Sequence, residues 1–171
     1  MKVDFYVRKY LNGNGDAFTN IYELTRKDVY LTIYTYIKDK ETIKDLMQDV
    51  YMKMIDSIDT YEVGTNFKAW ISRIARNMTI NYLNKSNRTI VKDPIEEEYV
   101  FDKEESPKNV DKCLSYLEGL EKDVFTLRIL LGHKFDDIDN ILGLKLHQSY
   151  YIFKKIIQKL KDLLWGVKYY D

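Results

Sequence analysis

FKAWISRIARNMTINYLNKSNR, residues 67–88, combines an apolar stripe with a basic and amide-rich one. At helical spacing one face of this stretch is apolar, and it consists of Phe67, Trp70, Ile71, Ile74, Met78 and Tyr82. The polar side chains are basic, hydroxyl or amide groups, and no acidic residue occurs between Thr65 and Lys92. Such a helix is typical of a polyanion-binding groove, and equally of a core helix with a solvated basic face.

Charge is distributed unevenly along the chain. The formal net charge of the 171 residues is zero, so only local asymmetry can favour nucleic acid. The basic stretch is followed by a segment with one lysine and many acids, namely Asp93, Glu96, Glu97, Glu98, Asp102, Glu104 and Glu105. The single cysteine, Cys113, excludes an intrachain disulfide and favours a reducing compartment. Because no signal core or membrane-length apolar run occurs, we expect a cytoplasmic protein without a membrane segment of its own.

Helical periodicity recurs along the chain and no useful strand alternation occurs, so we predict an all-α fold. The first helical pattern begins after Asp16, the predicted N-cap or first-turn acid, and continues to Ile37. The two prolines bracket the acidic segment, whose composition is typical of a linker. We therefore predict two small helical domains, residues 1–92 and 111–171, joined by an acidic linker over residues 93–110.

Residues 41–58, ETIKDLMQDVYMKMIDSI, predict a helix with two distinct faces. The apolar face consists of Ile43, Leu46, Met47, Val50, Tyr51, Met54, Ile55 and Ile58. The opposite face carries Asp45, Gln48, Asp49, Met52 and Asp56. A methionine exposed among acids is typical of a docking surface, and the alternative is an ordinary solvated face.

The carboxy-terminal part predicts a short helix ending at Gly143, a turn, and a long helix over Leu146–Leu164. This order is the helix-turn-helix signature, with a plain helical hairpin as the alternative. The predicted buried seam of the long helix consists of Leu146, Tyr150, Phe153, Ile157, Leu160 and Leu164. The residues outside it are His147, Gln148, Tyr151, Lys155 and Lys159.

Two stretches resemble the bacterial sigma factors of the extracytoplasmic-function (ECF) group. The first contains DLMQDVY, residues 45–51, and FKAWISRIARN, residues 67–77. The second is LEGLEKDVFTLRILLGHKFDDIDNILG, residues 117–143. The resemblance implies an all-helical, two-domain sigma factor that binds core RNA polymerase and directs promoter recognition and transcription initiation.

Carried over by position, the resemblance implies three sets of site residues. Core polymerase would be bound by Asp45, Gln48, Asp49, Met52 and Lys53. The melted −10 strand would be held by Thr60, Tyr61, Asn66, Lys68, Arg73, Arg76, Asn77, Lys85 and Arg88. The −35 duplex would be contacted by His147, Gln148, Tyr151, Lys154 and Lys155. Trp70 would anchor the core and belong to the floor of the −10 site.

The second domain departs from the family pattern at two places. Asp139 stands where the family usually has a small residue, and such a carboxylate needs a partner, for which His147 and Lys145 are candidates. Two arginines that commonly follow the turn are replaced within residues 150–157. The Tyr151–Ile152 pair therefore suits a protein contact as well as a −35 element.

The sequence shows no glycine-rich phosphate loop, no cysteine–histidine metal spacing and no nucleophile elbow. The acids Asp136, Asp137 and Asp139 are interpreted as capping and first-turn residues. We expect no enzymatic activity, no metal and no cofactor. The expected partners are core RNA polymerase and promoter DNA, and the resemblance also admits an anti-sigma factor. The alternatives are a sigma-derived DNA-binding regulator or a helical protein-interaction adaptor, both without promoter melting.

Overall fold

The computed structural model describes residues 2–86 and 110–165. The chain divides into two compact units, Met1–Asp93 and Pro94–Asp171. The described residues form helices, turns and loops without any β-strand, which confirms the predicted all-α fold class. The predicted acidic linker lies outside the described residues, apart from Val110. Within the two described ranges, no helix has the length and apolarity needed to cross a membrane.

Within residues 2–86, the first unit forms four helices and one short 3-10 turn. They are α1 (Lys2–Leu11), α2 (Ala17–Tyr34), α3 (Lys40–Ser57), the 3-10 turn Ile58–Thr60 and α4 (Phe67–Ser86). Helix α2 packs against α1, α3 and α4, and α3 also packs against α4. Helix α1 was not predicted from the sequence because it is only 10 residues long and buries just Val3, Asp4 and Val7.

The core of the first unit is formed by apolar faces of all four helices. Its wholly buried side chains include Val7, Ile21, Ile33, Val50, Met54 and Ile71. The stripe predicted for α3 is buried as expected, except that Ile55 is 36% exposed. On α4, Phe67 is buried, whereas the predicted Trp70, Ile74, Met78 and Tyr82 are partly buried. The small residues Ala69, Ser72, Ala75 and Thr79 are buried instead.

A side chain caps the start of α3. The Asp39 carboxylate accepts hydrogen bonds from the Thr42 amide at 2.8 Å and the Thr42 hydroxyl at 2.6 Å, and it thereby caps α3. Asp16 occupies the predicted N-cap position of α2, but its backbone is already helical and its side chain makes no capping bond. Asp16 therefore stands at the start of α2 without capping the helix through its side chain.

Within residues 110–165, the second unit forms four α-helices and one π-helical turn. They are α5 (Val110–Ser115), α6 (Leu120–Phe125), a π-helical turn Thr126–Leu130 that continues α6, α7 (Phe135–Leu142) and α8 (Gln148–Trp165). Helix α8 packs against α6 and α7. The buried residues between them include Leu117, Val124, Leu127, Ile138 and Ile156. Gly143 ends α7 in the left-handed conformation, with φ +65°.

The predicted buried seam of α8 is wrong at its start. Leu146 is 72% exposed and Tyr150 is 41% exposed, whereas Ser149 and Ile156 are wholly buried. The helix begins at Gln148 because the preceding residue, His147, has a backbone φ of +64°, which interrupts the right-handed helix. The buried face is consequently displaced from the predicted one, and the side chain of Leu164 lies outside the described residues.

A polar contact ties α1 to the loop before α4. The Tyr61 hydroxyl donates to Asp4 Oδ1 at 2.7 Å, and both residues are buried. Burial acts to raise the pKa of Asp4, but interactions that lower it, the largest being the hydrogen bond from Tyr61, outweigh burial and hold the pKa below its usual value. Burial, reinforced by Asp4, raises the pKa of Tyr61 to about 12. The contact therefore stabilises an ionised Asp4 beside a neutral Tyr61.

We predict that Tyr61→Phe lowers the free energy of unfolding at neutral pH by about 1.5–3 kcal/mol, the range for a hydrogen bond to a charged group. Because the folded pKa of Asp4 is lowered, its contribution is present above the unfolded value of 3.8 and is lost as the pH falls through the folded value. The difference between variant and wild type should therefore shrink in acid. Urea unfolding at several pH values measures it, with the exposed Tyr151→Phe as the matched control. Equal stabilities of Tyr61→Phe and wild type at pH 7 would contradict the assignment.

Candidate nucleic-acid and partner interface

The outward face of α3 carries the first candidate surface, named here the α3 strip: Asp45, Gln48, Asp49, Met52 and Lys53. All of these residues are exposed, and Met52 is 55% exposed although it is flanked by helix turns that bury Val50 and Met54 completely. Within the described residues, the carboxylates of Asp45 and Asp49 form no hydrogen bond or ion pair. The strip therefore combines acidic groups free for an external cation with one flexible apolar side chain.

The outward face of α4 carries the second candidate surface, named here the α4 face: Arg73, Asn77 and Lys85. All three side chains are exposed, and the adjacent Arg76 is half-buried. Arg73 and Asn77 are four residues apart, so their side chains are neighbours along the helix surface. The face presents a guanidinium, an amide and an ammonium group, which are donors suited to phosphates and base edges.

Residues of the loop before α4 form hydrogen bonds within the first unit that the sequence did not predict. The Thr60 hydroxyl donates to the Ser57 carbonyl at 2.6 Å, and Asn66 Oδ1 accepts from the Ala69 amide at 3.2 Å. Tyr61 is only 5% exposed and donates to Asp4. The predicted DNA contact of Tyr61 is corrected on this ground, because its ring and hydroxyl are both used inside the unit. Arg88, also predicted for this site, lies outside the described residues.

Lys68 is tied to the core by an ion pair. Its Nζ lies 2.9 Å from Oδ2 of Asp28, whose side chain is 6% exposed while that of Lys68 is 46% exposed. A buried carboxylate needs such a partner, because desolvation without one is costly. Lys68 therefore has a structural function that the sequence analysis did not predict. The signal that could have found it is an acid at position 28, on the same helix face as Ile21 and beside Val29.

Three aromatic rings meet at the start of α4. The Trp70 ring centroid lies 5.5 Å from that of Tyr61 and 5.3 Å from that of Phe67. Tyr61 and Phe67 are buried, whereas Trp70 is partly buried. Both ring pairs are tilted, with interplanar angles of 50° and 37°. Aromatic contacts at such distances stabilise the fold in addition to the burial of apolar area. Trp70 is thus anchored in the core on one side and reaches the surface on the other.

In the second unit, the predicted −35 residues are all at or near the surface of α8. His147, Gln148, Tyr151, Lys154 and Lys155 are exposed. The sequence analysis named His147 and Lys145 as candidate partners of Asp139, and the structure gives His147, but through its backbone. The Asp139 carboxylate is bound by the backbone amides of His147 at 2.7 Å and Ser149 at 2.8 Å, and not by an imidazole or a lysine.

A cleft of about 360 Å³ on the second unit was not predicted. Its walls include the aromatic residues Phe135, Tyr150 and Phe153 and the cations Arg128, Lys154 and Lys161. The Arg128 guanidinium lies 4.6 Å from the Phe135 ring centroid and donates to the His133 carbonyl at 2.9 Å. These residues come from three elements, so no single helical pattern in the sequence indicates the cleft.

Comparison with known proteins places the first unit in a family. Residues 21–89 match the sigma-70 region 2 model. The chain is 31% identical over 70 residues to the ECF RNA polymerase sigma factor SigX of Bacillus subtilis, covering 41% of this chain and 36% of SigX. It is 26% identical over 121 residues to the sigma factor SigV of the same organism, covering 69% of this chain and 73% of SigV.

The fold has a counterpart among solved structures. The sigma factor RpoE, solved with the anti-sigma factor NepR from Bartonella quintana, superposes with a TM-score of 0.73 at 20% identity. The match covers 89% of this chain and 98% of RpoE. The fold is therefore similar to that of RpoE, and residues 21–89 of the first unit match a sigma-70 region 2 domain. In sequence the chain is similar to ECF RNA polymerase sigma factors, and it spans about a third of the length of SigX.

We predict that Lys68→Ala lowers the free energy of unfolding by about 1–3 kcal/mol, because Asp28 is left buried without its ammonium partner. The exposed Lys85→Ala, a lysine of the same helix, should change it by less than about 0.5 kcal/mol. Adding Asp28→Asn to Lys68→Ala should restore part of the loss, since the buried charge is then absent. Chemical denaturation measures all three variants. A Lys68→Ala protein as stable as Lys85→Ala would show that the ion pair contributes nothing.

Proposed function

We propose that this chain is a dissociable specificity subunit of RNA polymerase that directs promoter recognition and transcription initiation. The observation that carries the proposal is the α3 strip within a sigma-70 region 2 domain. The first unit would bind core polymerase and the melted −10 strand, and the second unit would contact the −35 duplex. The chain would act by positioning polymerase and DNA, without enzymatic chemistry of its own.

Core-polymerase binding is assigned to the α3 strip. Its Asp45 and Asp49 carboxylates are solvated and uncommitted within the described part of the chain, so a basic partner surface can pair with them at low desolvation cost. Met52 provides an adaptable apolar contact on the same strip. Protein–protein interfaces commonly combine charged groups with apolar contacts of this kind.

Capture of the −10 strand is assigned to the α4 face. A single-stranded base needs a firm apolar floor, polar groups that meet its edge, and cations for the backbone. The α4 face supplies donors at Arg73, Asn77 and Lys85, and Trp70 lies at the start of the same helix. Arg76 and Asn66 are half-buried and Thr60 lies at the edge of the loop, so we assign them supporting contacts.

Contact with the −35 duplex is assigned to the exposed side of α8. Lys154 and Lys155 supply cations there, and Gln148 and Tyr151 supply groups that can meet base edges. A protein contact by Tyr151 is the second candidate function for this face, since that side chain is 64% exposed. The first candidate predicts salt-dependent duplex binding and the second predicts none. An anti-sigma factor, a partner that RpoE has in its structure, is a further proposed partner of this chain.

We predict that the double charge reversal Asp45→Lys with Asp49→Lys abolishes binding to core RNA polymerase. The residues lie outside the core, so the free energy of unfolding should change by less than about 1 kcal/mol. A pull-down with purified core enzyme, together with a melting curve, measures both effects.

The matched control is Asp16→Lys with Glu23→Lys, which makes the same charge change at exposed positions at the start of α2 and within it. This control should retain binding. Equal retention by the α3 double variant would refute the docking assignment, and equal loss by the control would indicate a general charge effect.

We predict that Arg73→Ala and Asn77→Ala each reduce promoter opening by about 5- to 150-fold, the equivalent of a lost contact of about 1–3 kcal/mol. Core-polymerase binding should persist, because the α3 strip is unchanged. Permanganate reactivity of the melted strand in the assembled holoenzyme measures opening. The exposed Lys40→Ala on α3 is the control for loss of a surface cation. Normal melting by both α4 variants would return α4 to the role of a core helix with a solvated face.

A further inference from the structure

The start of α8 is held by a buried carboxylate from the helix before it. Asp139 is 4% exposed, and its two oxygens each accept a backbone amide hydrogen bond. Oδ2 accepts from His147 at 2.7 Å and Oδ1 accepts from Ser149 at 2.8 Å. The Asp139 carbonyl also accepts from the Leu144 amide at 2.8 Å. Asp139 therefore contacts both ends of the turn between α7 and α8.

The first two amides of α8 and the amide of the preceding His147 are already bound within the chain. Asp139 accepts from His147 and Ser149, and the Lys145 carbonyl accepts from the intervening Gln148 amide at 3.0 Å. An α-helix leaves its first four N–H groups without partners of its own, and in many proteins a phosphate binds there. At this helix an internal anion has taken that position, and an incoming phosphate would have to displace it.

The same carboxylate accompanies an unusual backbone conformation. His147 is the non-glycine residue in the described ranges that has a positive φ, +64°. This conformation costs free energy for a residue with a Cβ, and it persists where surrounding contacts fix it. The Asp139 bond to the His147 amide is such a contact. Ser149, wholly buried, adds a second one through its hydroxyl, which donates to the Phe135 carbonyl at 3.1 Å.

The cations available on α8 lie farther along the helix. Lys154 and Lys155 are exposed, whereas Lys159 forms an ion pair with Glu121 at 2.7 Å. Lys154 is six residues beyond Gln148, about 9 Å along the helix axis. A duplex contact through these α8 cations is thus separated from the amino terminus of the helix, where the Asp139 carboxylate is bound. The exposed Lys145 lies in the turn before the helix and not on α8 itself.

We propose that Asp139 is the positioning residue of the second unit: it occupies the amides at the start of α8 in place of a DNA phosphate and fixes the turn at His147. Duplex DNA is then met through the Lys154 and Lys155 side chains and not through the amino terminus of the helix. The DNA part of this inference rests on the proposed function, whereas the occupation of the amides does not.

The first experiment uses inorganic phosphate as the probe and backbone-amide NMR of the full chain as the readout. In the wild type, the His147 and Ser149 amide resonances should not respond to phosphate. In Asp139→Ser, whose shorter side chain frees an amide, they should shift saturably, with other resonances unchanged. A saturable response in the wild type, or none in a folded variant with dispersed resonances, would overturn the proposal. Asp139→Asn, of nearly the same shape, provides a second variant where the serine variant does not fold.

The second experiment measures duplex DNA affinity of the full chain against salt concentration. Removal of the negative charge in Asp139→Asn should tighten binding about two- to fivefold, the effect of one charge at a helix end. Lys154→Ala and Lys155→Ala should each flatten the salt dependence by about one unit of slope. If Asp139 were purely structural, Asp139→Asn would loosen the turn and weaken duplex DNA binding. A weaker affinity of this variant would therefore overturn the proposal.

The control is Asp162→Asn, which removes an exposed charge 13 residues beyond Ser149, about 20 Å along α8. It should leave affinity and salt slope unchanged, and a gain equal to that of Asp139→Asn would overturn the local explanation. A wild-type chain without any duplex affinity would refute the −35 assignment. The phosphate experiment still decides the role of Asp139 in that case.

Discussion

Helix α3 can bury only one of its faces, and the organisation of the first unit depends on this constraint. Val50 and Met54 are wholly buried, and Tyr51 is fixed between them by a 2.9 Å hydrogen bond between its hydroxyl and that of Thr25. Burial raises the pKa of Tyr51 far above its usual value, so this hydrogen bond persists over the whole physiological range. The rotation of α3 about its axis is thereby fixed. The exposed position of the α3 strip is a consequence of the core on the other side.

Helix α4 also has one buried and one exposed face, but its buried face differs in composition from that of α3. Its buried face includes Ser72, Ala75 and Thr79, small residues that allow close approach to α2 and α3. The Thr79 hydroxyl donates to the Ala75 carbonyl at 2.8 Å, so that its burial leaves no polar atom without a partner. In the described residues, no buried side-chain nitrogen or oxygen lacks a hydrogen bond. Because the small residues face inward, Arg73 and Asn77 are directed to solvent.

A feature could be predicted from the sequence when the residues that form it are close together along the chain. The faces of α3 followed from a regular helical period, which is a local property. Tyr61 was misassigned because its partner, Asp4, is 57 positions away, and the structural role of Lys68 was missed because Asp28 is 40 positions away. No periodic pattern reports on such contacts. The start of α8 was misplaced for a related reason, because Leu146 has the spacing of a seam residue but precedes the left-handed His147.

The candidate site residues of the two units are therefore held in place by different interactions. In the first unit, apolar packing directs the candidate binding groups outward and leaves the acids of the α3 strip uncommitted. In the second unit, a carboxylate that would be costly alone is stabilised by the amides of the next helix. A side-chain partner was expected for Asp139, but helix starts carry unpaired N–H groups that bind a carboxylate without a counter-charge. Asp139 departs from the family pattern and would be costly to bury alone. Such a residue thus indicates a place where backbone amides act as its partners. Under the role proposed for Asp139, the same departure would determine which part of α8 meets DNA.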